Sequence, residues 1–161
     1  MDPQSILTTV AEVAIALTGF TGVVAVLGHR QNHDWSPEER LQLRTLVETS
    51  LTALFASFVP SVLLIFLSSE PASWMGANLF LGSLHAANLS AFLLRMKGAK
   101  PTAGQRALLS IGIAAILAHF LAFFGVLPWY IGIFMLGLLQ QIFIAAYNFV
   151  LLLFPVGGAE K

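Results

Sequence analysis

Residues 5–28 read SILTTVAEVAIALTGFTGVVAVLG, a stretch of 24 positions with one charged side chain, Glu12. About 20 mostly apolar residues suffice for an α-helix to cross a bilayer. Four more runs of this kind follow, at 43–67, 74–94, 107–127 and 129–154. Hydrophobic residues make up 57% of the 161 positions and charged residues 10%, against roughly 25% charged in soluble domains. A soluble fold could not cover such a core with so few charges, whereas lipid solvates it directly. The reading is an all-α integral membrane protein with five transmembrane helices in a single domain over 1–161, with the lipid bilayer as its first partner.

The breaks between runs carry their own signals. Runs four and five are nearly fused, and Gly125 and Pro128 divide a stretch too long for one crossing into a tight helical hairpin. Ser36-Pro37-Glu38-Glu39 reads as an N-cap serine, a proline at the first helical position and an acid at the third, so the second helix starts near Pro37, ahead of its apolar window. Pro60 lies inside that helix and should bend it. The first run lacks a basic leader, since Met1-Asp2-Pro3-Gln4-Ser5 holds an acid and no Lys or Arg, and it reads as a retained anchor.

All eight basic residues fall in or beside alternate gaps: Arg30, Arg40 and Arg44 around the first connection, Arg95, Lys97, Lys100 and Arg106 around the third, and Lys161 at the end. Cytoplasmic loops are enriched in Lys and Arg, so the N-terminus is expected outside and the C-terminus in the cytoplasm. Trp74, Trp129 and Tyr130 then fall near the outer interface and Trp35 near the inner one. Short loops and a compact chain without cysteine lean toward a bacterial inner membrane. The absence of cysteine excludes disulfides and thiolate catalysis. A net charge of zero gives no case for nucleic acid.

Polar residues inside the spans are the candidate functional residues. Glu12 lies about two turns into the first run, where a carboxylate must be neutralised, paired or hydrated. Ser5, Thr8, Glu12, Ala16, Gly19, Val23 and Arg30 share one helical stripe. That stripe suggests a pore in a homo-oligomer, with Glu12 forming a cation-attracting ring and Ser5, Thr8, Gly19 and Arg30 along the path. A protonated Glu12 bonded to a neighbouring helix is the plainer alternative. A second stripe, with Ala14, Thr18 and Gly22, has the small residues that let helices pack closely.

His85 and His119 each lie some 15 Å below the same surface at about 1.5 Å per residue, so adjacent helices could face them together. They are candidates for ligand binding, as axial haem ligands or as metal ligands with Glu12. Ordinary interhelical hydrogen bonding is the plainer reading of both. Glu48 should pair with Arg44 or Arg30. On the fifth helix Gly137, Gln141, Ile144 and Asn148 form one stripe.

No Gly-x-Ser-x-Gly, His-Glu-x-x-His or phosphate-cradling loop is present, and no enzyme and no cofactor is expected. The function expected is a small homo-oligomeric ion channel. The alternative is a non-enzymatic accessory or scaffold subunit of a larger membrane complex.

Overall fold

The computed structural model describes residues 2–30, 35–96 and 103–154. It is all-helical: α1 spans Pro3–Arg30, α2 Pro37–Leu67, α3 Glu70–Arg95, α4 Ala103–Phe123 and α5 Tyr130–Leu153. All five helices are long and apolar enough to cross a membrane.

The local signals for helix starts and stops are present in the backbone. Ser36 caps α2 through a reciprocal pair of bonds: the Glu39 amide donates to Ser36 Oγ at 3.1 Å, and the Ser36 amide donates to Glu39 Oε2 at 2.8 Å. This satisfies two donors that the first turn otherwise leaves free. α3 begins at Glu70, ahead of its apolar window at Trp74, because Pro71 in the first turn suits a helix start. α4 ends at Phe123, short of the expected 127. Gly125 adopts φ +71°, its amide donates to the Ala122 carbonyl, and the Val126 amide donates to the Leu121 carbonyl at 2.9 Å. This left-handed closure turns the chain toward α5.

α2 is the central element. It packs against α1, α3 and α5, and α5 also receives α1, α3 and α4. Helices α2, α3, α4 and α5 form a ring in that order. Among the described residues the α2 and α4 backbones stand diagonally apart, while α3 and α5 approach across the other diagonal. α1 lies outside this ring, in the groove between α2 and α5. Helices consecutive in sequence run antiparallel, so α1, α3 and α5 run parallel to one another. Ser61 near the end of α2 donates to Gln4 Oε1 near the start of α1 at 3.1 Å. Gly104 at the start of α4 lies against the Tyr147 hydroxyl near the end of α5. One end of the bundle therefore gathers Arg40, Arg44, Arg95 and Arg106.

The apolar core joins Leu7, Val10 and Ala14 of α1 to Ala53 and Ala56 of α2, Trp74, Ala77 and Leu81 of α3, and Phe134 and Leu138 of α5. Alanines at the α1–α2 contact let those two backbones come close. Trp74, near the start of α3, faces the inside of the bundle: it is buried, with its ring edge-on to Phe134 at 5.7 Å. Trp129 is exposed.

Candidate functional site

Two groups of polar residues stand out, one on the surface of α1 and one inside the ring of α2–α5. On α1 the buried face is Leu7, Val10, Ala11, Ala14 and Thr21. Ser5, Thr8, Glu12, Ala16, Gly19 and Val23 point away from the bundle and are exposed. Ser5 and Thr8 turn their hydroxyls back onto the carbonyls of Asp2 and Gln4. Glu12 has no hydrogen bond or ion pair among the described residues, so none of them supplies the neighbouring-helix partner considered for it. No side chain stands over Gly19 or Gly22 within 4 Å. In the second stripe Ala14 is fully buried, Thr18 is half-buried with its hydroxyl on the Ala14 carbonyl, and Gly22 is exposed. The side chain of Arg30 lies outside the described residues, as do Lys97, Lys100 and Lys161.

Inside the ring, His85 of α3 and His119 of α4 meet with centroids 5.6 Å apart and rings inclined by 36°. Both are buried. His119 is held by Asn78, whose Oδ1 lies 2.8 Å from His119 Nδ1. Asn78 Nδ2 donates to the Trp74 carbonyl at 2.9 Å and the Tyr130 carbonyl at 2.8 Å. Those two bonds fix the amide orientation, so Oδ1 can only accept and His119 Nδ1 must carry the proton. His119 Nε2 is then a bare lone pair. It points at Gly137 of α5, where only a hydrogen fits.

Neither nitrogen of His119 is open to a shared iron, since Nδ1 is held by Asn78 and Nε2 stands against Gly137. Glu12 does not join the histidines, because α1 packs only against α2 and α5. Among the described residues no group of three His, Asp or Glu side chains forms a metal-binding cluster.

At the arginine-bearing end Glu48 of α2 bridges two arginines. Arg95 Nη1 of α3 donates to Oε2 at 2.7 Å and Arg44 Nε to Oε1 at 2.8 Å. Arg44 was an expected partner. Arg95 is distant in sequence, and the cue available was that Glu48 and Arg95 both lie toward the basic end of neighbouring helices. Asn88 of α3 donates to Thr52 Oγ1 of α2 at 2.9 Å nearby. Gly137, Gln141 and Asn148 of α5 are buried and Ile144 is half-buried, so their shared stripe faces the ring interior.

The diagonal separation of α2 and α4 leaves a cavity of about 80 Å³ between the four helices. His85 and Gln141 are among its walls, with Glu48, Asn88 and Asn148. Nothing in the residue pattern announced this cavity, since it depends on which helices face each other.

Comparison with known protein families, with curated proteins and with solved structures finds no match to this chain.

Proposed function

We propose that the chain is a subunit of a homo-oligomeric ion channel, in which copies of α1 surround an axis and Glu12 forms a cation-attracting ring. The observation that carries this reading is the outward Glu12 carboxylate on α1, unpartnered among the described residues. It stands about 14 Å along the helix axis from Pro3, deep in a segment long and apolar enough to span a membrane. An acidic side chain at such a depth, facing lipid, costs about 2.5–3.5 kcal/mol or more. Contact with further copies through this same face removes the carboxylate from lipid and brings it to a shared axis. There several carboxylates draw in water and cations. Ser5, Thr8 and Gly19 lie on the same exposed face and keep it narrow and polar.

The orientation belongs to the proposal too: N-terminus outside, C-terminus in the cytoplasm, in a bacterial inner membrane, by the placement of the arginines and lysines.

Flux through the purified chain in proteoliposomes tests the reading. Glu12→Gln is expected to lower cation selectivity while the oligomer stays intact by native mass spectrometry. Unchanged selectivity removes Glu12 from the path. A chain that remains a monomer in lipid nanodiscs, or that co-purifies with another membrane protein, favours the accessory-subunit reading instead.

A further inference from the structure

The cavity inside the ring of α2–α5 stands apart from the α1 face and has its own chemistry. Two of its wall residues are buried polar groups without partners. Gln141 is fully buried, and neither its amide nitrogen nor its oxygen has a hydrogen-bond partner among the described residues. His85 is 4% exposed, and neither ring nitrogen has one. Buried amides and imidazoles are satisfied somewhere, by protein or by water. A polar cavity retains water where two to four partners converge, and about 10–15 Å³ of such volume suffices for one molecule. At about 80 Å³ the cavity has room for several.

The cavity is also one-sided. Its walls run from Glu48, whose side chain is partly exposed and bonded to the exposed Arg44, to His85 and Gln141. Beyond the histidines lie Leu81, Phe134 and Leu138, all fully buried and apolar. Asn78 Oδ1 accepts from His119 Nδ1 at that boundary.

We propose that this cavity is a water-filled vestibule opening at the arginine-bearing end, and that His85 at its floor is a proton-binding residue reached from that side of the bundle alone. The ligand is a proton delivered through water. Neither ring nitrogen of His85 is bonded to a described residue, so the ring can exchange a proton without breaking a contact among them. His119 cannot take this role as readily, because its Nδ1–H is committed to Asn78 and its Nε2 is pressed against Gly137. Among the described residues the charged groups near the vestibule are Glu48 from α2 with its partner Arg44, and Arg95 from α3 through Glu48. From α4, His119 is the titratable group against His85. α5 presents the neutral amides of Gln141 and Asn148.

Water-edited solid-state NMR on the unaltered chain, labelled with nitrogen-15 in histidine and glutamine, reads this directly. Magnetisation is expected to pass quickly from water to the His85 ring and the Gln141 amide. The His85 ring signals should shift as the buffer is acidified, while His119 keeps its protonated Nδ1. No water transfer to His85, or a His85 ring indifferent to pH, overturns the proposal.

Sidedness is read separately. The chain has no cysteine, so single-cysteine variants report unambiguously. In proteoliposomes, Leu89→Cys and Ile144→Cys in the vestibule wall should react with a small hydrophilic thiol reagent about tenfold faster than Leu81→Cys and Leu138→Cys, since only a hydrated thiol ionises to the reactive thiolate. Reaction should occur from the face where an Arg40→Cys control reacts. Equal rates at all four positions, or reaction from both faces, overturns the one-sided vestibule.

Discussion

The imidazole of His119 lies against the bare Cα of Gly137. A methyl group at position 137 would collide with Nε2 and come within 2.5 Å of Cε1. On the opposite side a methyl group at Gly82 would come within 2.9 Å of His119 Cβ. The ring is thus clamped between glycines of α3 and α5, and these two absences of a side chain let α4 sit close enough for His119 to reach Asn78.

Gly137→Ala should therefore displace His119 and loosen α4. Overpacking of a filled core costs about 1–3 kcal/mol, and the expected effect is a drop of that size in stability against denaturing detergent. Gly82→Ala should cost as much, because the atom it meets is His119 Cβ, which moves only if the α4 backbone moves. A Gly137→Ala variant with an unchanged unfolding midpoint would show that the clamp contributes nothing.

Asn78 is a buried amide of α3 and Asn88 a half-buried one, and their removal should differ. Asn78→Leu strands the His119 Nδ1 proton and withdraws a donor from the Tyr130 carbonyl, at about 1–3 kcal/mol per buried unsatisfied group. Asn88→Ala frees Thr52 Oγ1, which still donates to the Glu48 carbonyl at 2.7 Å. Single interhelical bonds in membranes average about 0.6 kcal/mol, so the second variant should remain near wild-type. Unfolding midpoints measured side by side decide it, and equal losses would contradict the argument.

Ala14 and Gly22 share one stripe of α1 but meet different surroundings. Ala14 is fully buried in the core with Ala53 and Ala56, and Ala14→Leu should cost about 1–3 kcal/mol in the isolated subunit. Gly22 has open space around it, and Gly22→Leu should change subunit stability by no more than about 0.5 kcal/mol. Any effect of Gly22→Leu belongs to contacts between chains, seen as a shift in oligomer distribution by native mass spectrometry. Unfolding of the subunit by Gly22→Leu would place a neighbour where the fold has none.

Much of this molecule was legible in one dimension. Five apolar runs were readable because lipid imposes a length on each crossing helix. The start of α2 at Pro37 and the break at Gly125 were readable because a capping box and a left-handed glycine are local devices. The depths of His85 and His119 could be counted because helix rise is constant. The opposition of the two faces of α1 follows from its period alone.

What only the tertiary structure decided is which side chains meet. Sequence spacing placed Glu48 beside Arg44, one turn away on the same helix, but the bond to Arg95 exists because α3 returns alongside α2. Trp74 could be assigned to the end of a helix, but not to the inside of the bundle, since that depends on which face α5 covers. The amide of Asn78, the glycines around His119 and the cavity beside Gln141 all follow from a ring in which α3 and α5 touch across the middle while α2 and α4 do not. Helix periodicity sets which residues share a face. The choice between the two diagonals is a packing outcome, set by where glycines and alanines permit backbones to close, and it decides whether a buried amide ends on a histidine or on a cavity.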